Sequence, residues 1–213
     1  MADPVGLAFT CVGARADRGA ASPTVLLRLQ IAEASGAPVH ALALRCQIRI
    51  EPHRRRYDDV EEAALVDLFG SRARWADTLK PLQLAFVNHV VPSFTGVTEV
   101  DLALPCSYDF DVAAHKYLYG LRDGSAPLLL LFSGTWFARG PEGFSVRPIP
   151  WDRECAFGLP VAVWREAMDQ HFPGTAWLRL PRETFDDLYD YRARNALLSW
   201  DEAVRRLLKE ATG

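Results

Sequence analysis

The chain has 213 residues and a formal net charge of −3, with 49% hydrophobic and 24% charged residues. This composition is typical of a globular protein and argues against an intrinsically disordered chain. A slightly acidic chain lacks the basic excess of a general nucleic-acid binder, so we expect no nucleic-acid partner. The longest apolar run, residues 126–132, is too short to span a bilayer, and the N-terminus lacks the features of a signal peptide. These observations together predict a cytoplasmic protein.

The first quarter of the chain predicts β-strands. Residues 5–12 fit a short edge strand, and the small, polar residues 13–22 fit a loop. Residues 24–32 and 39–51 both alternate apolar and polar side chains around a Ser-Gly turn, which predicts a β-hairpin. The second of these strands is the strongest pattern in the chain. Its apolar face carries Leu42, Leu44, Cys46, Ile48 and Ile50.

A short helix and a second alternating strand follow. Asp58 is placed to cap a helix over residues 59–69, with Glu61 in the capping-box position and Gly70 as the stop. Residues 71–91 predict a loop and then a strand. Residues 98–111 alternate again, and Pro105 favours an edge strand or a bulge there.

The next segment changes from the period of a strand to that of a helix. Residues 111–121 predict a helix for which Asp111 is a suitable N-cap. Residues 127–138 form a continuous apolar run, which is typical of a central strand, and residues 144–149 pair back on it. From Trp151 onward the signals are helical. Helices are predicted over residues 160–172, 181–195 and 199–211, the last opened by a capping box at Ser199 and Glu202.

This order of elements predicts an α+β fold. Residues 1–150 would form a mostly antiparallel β-sandwich body, because the strands alternate cleanly and precede the helices. Residues 151–213 would form a helical subdomain. A helical unit of about 60 residues is marginally stable alone, so we expect it to pack on the body as part of a single compact unit.

No catalytic or cofactor motif is recognisable. Phosphate-binding loops, a nucleophile elbow, an HExxH helix and an EF-hand loop are all absent from the sequence. The five histidines have no metal-ligand spacing and the four cysteines include no CxxC pair, so neither a metal nor a cofactor is predicted. Buried cysteines in a reducing compartment are the favoured interpretation. Metal delivery by Cys and His from separate elements stays a weaker alternative.

The clearest functional signal is a basic block after the strand that ends near residue 51. It comprises His53, Arg54, Arg55 and Arg56. One interpretation is a charge cluster paired with the acidic residues just downstream. The other is a binding surface for an anion or an acidic partner, because adjacent guanidiniums offer bidentate contacts to carboxylates. Arg74 and Trp75, with Arg72, would join that surface after the short helix, since Arg and Trp are typical of interface hot spots.

A second set of candidates lies at the junction between the strand at 98–111 and the following helix. Asp109, Asp111 and His115 could line a cleft between the β body and the helical tail. Charged residues on a solvated strand face are the commoner explanation of such a pattern. The alternative keeps open a small-ligand-binding protein or an enzyme of unknown class.

A family resemblance rests on six segments: residues 44–57, 68–70 with Arg74-Trp75, 91–96, 108–110, 130–135 and 177–180. Through these segments, most of the chain resembles an uncharacterised actinobacterial family of unknown function. The resemblance implies that such proteins are often encoded near nickel-iron hydrogenase genes. This gene location suggests an accessory role.

The leading functional hypothesis is therefore a non-catalytic accessory or assembly protein. It would bind another protein, either a hydrogenase subunit or a maturation factor, through the Arg54–Arg56 region and Trp75.

Overall fold

The computed structural model describes residues 6–107, 112–140, 143–175 and 179–212. These residues form eight β-strands in two antiparallel sheets together with seven α-helices. The chain divides into two units, Met1–Ala176 and Trp177–Gly213. Within the described ranges, no helix combines the length and the apolar character needed to cross a membrane.

Sheet A has three strands in the order β1-β2-β5. They are β1 (Leu7–Ala16), β2 (Thr24–Glu33) and β5 (Val97–Pro105). The first strand is at an edge as predicted, but it continues into the segment predicted to be a loop, past an irregularity between Cys11 and Gly13. The third strand ends at Pro105 on the opposite edge, where a residue without an N–H removes no ladder hydrogen bond.

Sheet B has five strands: β3 (Val39–Ile50), β4 (Leu82–Val91), β6 (Ser125–Gly140), β7 (Gly143–Pro148) and β8 (Glu154–Pro160). β6 is central, since it pairs with β3 on one side and with β7 and β8 on the other. The strand predicted over residues 127–138 is thus confirmed as central, while β8 lies in a segment predicted to be outside the sheets.

The predicted hairpin between residues 24–32 and 39–51 is wrong. Both strands exist, but β2 pairs with β1 and β5, whereas β3 pairs with β4 and β6. The turn between them carries the chain from one sheet to the other. Alternation reveals which side chains are buried, and it does not reveal which neighbour receives the backbone hydrogen bonds.

The alternating residues of both sheets contribute to one hydrophobic core. The apolar face predicted for β3 is confirmed, because its five residues are between 0% and 2% exposed. Between the sheets, the ring of Phe9 on β1 stacks on the ring of Phe132 on β6, with centroids 4.3 Å apart. The two sheets therefore share one core in the first unit.

The helices of the first unit lie after strand ends. They are α1 (Asp59–Ala64), α2 (Val66–Phe69), α3 (Trp75–Thr78), α4 (Ala113–Gly120) and α5 (Val161–Asp169). The predicted N-cap is confirmed, since Oδ1 of Asp58 accepts the backbone N–H groups of Val60 and Glu61. The single helix predicted over residues 59–69 is instead two short helices that meet at Leu65.

The second unit contains α6 (Arg182–Arg194) and α7 (Trp200–Ala211). Oγ of Ser199 accepts the N–H of Glu202 at 3.1 Å, which confirms the predicted cap of the last helix. The guanidinium of Arg192 lies 4.0 Å from the centroid of the Trp200 ring and joins the two helices. The division between units comes later in the chain than the composition shift at Trp151 suggests, because α5 contacts β1 and β2.

Replacing Gly134 with alanine tests the closest backbone approach in sheet B. Gly134 has φ +132°, and a Cβ there would lie 2.0 Å from the carbonyl oxygen of Ala43 on β3. We expect Gly134→Ala to lower the free energy of unfolding by roughly 3 kcal/mol, from backbone strain and overpacking together. Gly13→Ala is the matched control, since a Cβ at that strand position meets no atom within 4 Å. Urea unfolding followed by circular dichroism measures both, and equal stability of the two variants would contradict the prediction.

Candidate functional site

The basic block begins where β3 ends, and its middle arginine points into the protein. Pro52–Arg54 form a 3₁₀ turn that redirects the chain. Nη1 of Arg55 donates to the carbonyl oxygen of Ser125 at 2.9 Å, and Nη2 donates to the carbonyl oxygen of Asp123 at 2.9 Å. Nη2 also donates to Oε1 of Glu61 at 2.6 Å. Arg55 therefore connects the segment after β3, helix α1 and the turn before β6.

Glu61 completes this arrangement as a buried carboxylate. Its side chain is 3% exposed and that of Arg55 is 12% exposed, so the ion pair is shielded from water. Oε1 of Glu61 also accepts the backbone N–H of Arg122 at 2.8 Å. A buried pair of this kind fixes local geometry, because leaving either charge without its partner in the interior costs several kcal/mol. Glu61 therefore serves this pair instead of the capping box that its spacing predicts.

Aromatic side chains pack beside the ion pair. The hydroxyl of Tyr57 donates to the carbonyl oxygen of Pro52 at 2.7 Å and lies 2.8 Å from the hydroxyl of Tyr117. Because Tyr57 has one hydroxyl proton, Tyr117 is the donor between the two rings. Burial raises the pKa of Tyr57 to about 12 and also raises the pKa of Tyr117. Both phenols are therefore neutral at physiological pH.

Trp75 belongs to this buried cluster and not to the protein surface. The residue is 9% exposed, and its ring meets that of Tyr57 edge-on with centroids 5.1 Å apart. Nε1 of Trp75 donates to the carbonyl oxygen of Gly70 at 3.0 Å. The indole therefore packs against Tyr57, which directly follows the basic block.

Three of the four acidic residues that follow the block are engaged within the protein. Asp58 caps α1, Glu61 binds Arg55, and Glu62 accepts from Nη1 of Arg72 at 2.9 Å. Within the basic block, the predicted charge cluster therefore accounts for Arg55, while the exposed Arg72, after the short helices, pairs with Glu62.

The other cations of the candidate surface are exposed. The side chains of Arg54 and Arg56 form no hydrogen bond or ion pair with the residues that the structure describes. His53 is half exposed, with Nδ1 3.6 Å from Oε2 of Glu51. Arg74 is exposed at the end of a second 3₁₀ turn. Two adjacent segments therefore present guanidinium groups to solvent.

The cleft candidates are placed only in part. Asp109 and Asp111 lie outside the described residues, so their relation to other groups stays a prediction. His115 lies on α4 and is 8% exposed.

The structure also contains a groove that sequence reasoning missed. It has a volume of about 930 Å³ and lies between the β1–β2 loop, the turn before β6 and helix α5. Its charged lining is three arginines and three carboxylates: Arg18, Arg122, Arg165, Asp123, Glu166 and Asp169. These residues come from separate loops and a helix face, and their spacing in the sequence contains no signal that could have grouped them.

The charges of the groove are balanced and partly satisfied within the protein. Arg18 pairs with Glu166 at 3.1 Å, and Nη2 of Arg165 donates to the carbonyl oxygen of Leu121 at 2.5 Å. The ring nitrogens of His171 lie 3.2 Å and 3.0 Å from two backbone carbonyl oxygens. Because the groove carries both positive and negative charges, it lacks the electrostatic field of one sign that would concentrate a charged ligand.

Three cysteines approach one another inside the first unit, which the sequence alone left open. The pKa values of Cys11 and Cys46 are raised to about 12, mainly by burial and to a smaller extent by the nearby Cys155. These thiols are therefore protonated and weakly nucleophilic at neutral pH. In the part of the chain that the structure describes, no group of three or more His, Cys, Asp or Glu side chains is arranged to hold a metal ion.

Comparison with known families agrees with the resemblance expected from the sequence. Residues 4–213 match the model of a family of unknown function, DUF6084. The chain belongs to this family. No curated protein matches the sequence significantly. Membership assigns no role to any residue, and the actinobacterial and hydrogenase connections stay predictions.

Removing Arg55 tests the buried ion pair. We expect Arg55→Met to lower the free energy of unfolding by about 3–5 kcal/mol, because the Glu61 carboxylate is left buried without its partner. Arg54→Met is the matched control and should change stability by less than about 0.5 kcal/mol, since Arg54 is exposed. Chemical unfolding of both variants measures the difference. Glu61→Gln in the Arg55→Met background should restore part of the loss, and no restoration would argue against a charge effect.

Proposed function

We propose that this protein is a non-catalytic accessory or assembly protein that binds another protein through its arginine surface, defined as Arg54, Arg56 and Arg74. One observation carries the proposal. Arg54 and Arg56 stay exposed and without an ion-pair partner among the described residues, although acidic side chains follow directly in the chain. Guanidinium groups in this state are available to carboxylates of a partner.

The support beneath the arginine surface favours binding. Arg55, Tyr57 and Trp75 hold the backbone on either side of the exposed arginines by hydrogen bonds and packing. A preorganised backbone loses little conformational freedom on association, so more of the contact energy becomes affinity. The partner surface would be acidic, and binding would weaken as salt concentration rises.

We propose a nickel-iron hydrogenase subunit or a maturation factor as the partner, in the cytoplasm of an actinobacterium. The family resemblance supports this identity, because it implies that the gene lies near nickel-iron hydrogenase genes. The acidic character of the partner surface follows separately from the chemistry of the arginines. The two parts of the proposal are therefore tested by different results.

We also infer that the two sheets of the first unit pack face to face as a sandwich. The stacking of Phe9 on Phe132 and the shared core support this arrangement. A sandwich would give the arginine surface a rigid base, because β3 lies within sheet B and leads directly into the basic segment. Helix α5 packs on β1 and β2, whereas packing of α6 and α7 on the body stays a prediction.

A small-ligand site is the second candidate function. The groove beside α5 supports it, because its volume of about 930 Å³ falls within the range of ligand pockets. Its location within the first unit differs from the predicted cleft between body and tail. Thermal-shift screening of charged metabolites against the wild-type protein and Arg165→Ala would test this candidate, and a ligand that stabilises both equally would contradict it.

Reversing two charges tests partner binding at the arginine surface. We expect Arg54→Glu combined with Arg56→Glu to reduce recovery of the partner at least tenfold, because each substitution replaces attraction to carboxylates with repulsion. The measurement is affinity purification of the tagged protein from its native host with quantitative mass spectrometry.

Arg205→Glu combined with Arg206→Glu is the matched control, since it makes the same charge change at adjacent exposed positions on α7. Equal partner recovery from both double variants would overturn the arginine surface. A partner that depends on Arg54 and Arg56 but is unrelated to hydrogenase would overturn only the proposed identity. Circular dichroism of both variants confirms that they are folded.

A further inference from the structure

The outer face of sheet B is a second surface, distinct in chemistry from the arginine surface. It consists of the side chains that alternate with the buried ones on β3, β4, β6, β7 and β8. The strand register shows which of them are neighbours, because directly paired residues of antiparallel strands point to the same side. One row across the sheet contains Val90, Ala43, Thr135 and Pro148, and another contains Phe86, Gln47, Leu131 and Glu154.

Large apolar side chains on this face are exposed. Phe86 is 50% exposed and Val90 is 72% exposed on β4, and Val146 is 64% exposed on β7. Between them lie the small side chains of Ala43 and Thr135. Along the row of Val90, Ala43, Thr135 and Pro148, the face is therefore apolar at its margins and low in its middle, a shape that another flat surface can cover. Large exposed apolar side chains that share one face of a sheet are a feature of interaction sites.

The face carries opposite charges at separate positions. Arg45 on β3 is exposed, with its guanidinium 4.7 Å from the centroid of the Phe86 ring. Glu154 on β8 is also exposed, and it pairs in register with Leu131 of β6. Leu131 lies on the same face as Ser133, the residue of β6 that pairs with Arg45. Arg49 lies on the same face and already pairs with Glu51, with Nη2 2.9 Å from Oε1. Among the described side chains of this face, Arg45 and Glu154 are charges of opposite sign that no ion pair within the chain uses, and they make the face complementary to itself.

We propose that the outer face of sheet B is the interface of a homodimer, in which it is covered by the same face of a second copy of this chain. In a twofold interface each residue meets its partner reciprocally, so an axis midway between Arg45 and Glu154 forms two equivalent ion pairs. The apolar margins, Phe86 and Val90 among them, are then removed from water in both copies. This surface and its partner are independent of the arginine surface.

The size of the face is at the lower end of the range found for specific dimers. Four adjacent strands at about 4.8 Å spacing span roughly 19 Å, and ten residues of strand at about 3.3 Å each span roughly 33 Å. The resulting flat area of roughly 600 Å² per copy approaches the roughly 800 Å² that each partner buries in a standard interface once side-chain relief is included.

The mass of the full chain in solution tests the proposal. We expect sedimentation equilibrium to give twice the chain mass of 23.8 kDa for the wild type at micromolar concentration. Val90→Lys should raise the dimer dissociation constant at least tenfold, because it places an ammonium in the apolar contact. Val97→Lys is the matched control on sheet A, where Val97 is 59% exposed on β5, and it should leave the dimer unchanged.

A charge exchange distinguishes a second copy from any other occupant. Arg45→Glu and Glu154→Arg should each weaken the dimer at least tenfold, and the double variant should restore it, because the reciprocal ion pairs form again with their signs exchanged. Two results would overturn the proposal. One is a wild type that is monomeric at a concentration on the order of 100 µM, and the other is a Val90→Lys variant that dimerises as well as Val97→Lys.

Discussion

The buried ion pair between Arg55 and Glu61 is the contact on which the candidate site depends. It joins the end of β3 to helix α1, and its remaining hydrogen bonds hold the turn before β6. Because the pair is shielded from water, its geometry is strongly specified, and either charge alone would be costly. The neighbouring guanidiniums of Arg54 and Arg56 are exposed as a consequence, since the segment that carries them is held from within.

The two proposed surfaces would work by different physics. The arginine surface is charged and lies on a turn, so it would favour rapid, salt-dependent association with an acidic partner. The outer face of sheet B exposes large apolar side chains, so its association would depend on removing Phe86 and Val90 from water. A dimer through the sheet would present two copies of the arginine surface, and a partner with two acidic sites would then bind more tightly through avidity.

The elements that sequence predicted well are those whose signal is local. The alternation in β3 identified its buried face, and the caps at Asp58 and Ser199 were located because a side-chain oxygen needs only the next few backbone N–H groups. The predicted hairpin was wrong because pairing is decided by strands distant in sequence. β8 was missed because its Gly and Pro suppress the local strand signal, while β6 supplies the pairing.

The candidate site shows the same division. Sequence by itself determined that a basic segment follows a rigid strand and that recognisable catalytic motifs are lacking, since residue type and spacing are local properties. Only the tertiary structure decided that Arg55 is internal, that Trp75 is buried and that Arg54 and Arg56 face solvent. Only the tertiary structure brings together the residues of the groove beside α5 and the exposed apolar side chains on the outer face of sheet B. The physical reason is that burial and charge pairing depend on which distant segments meet, and chain order does not contain that information directly.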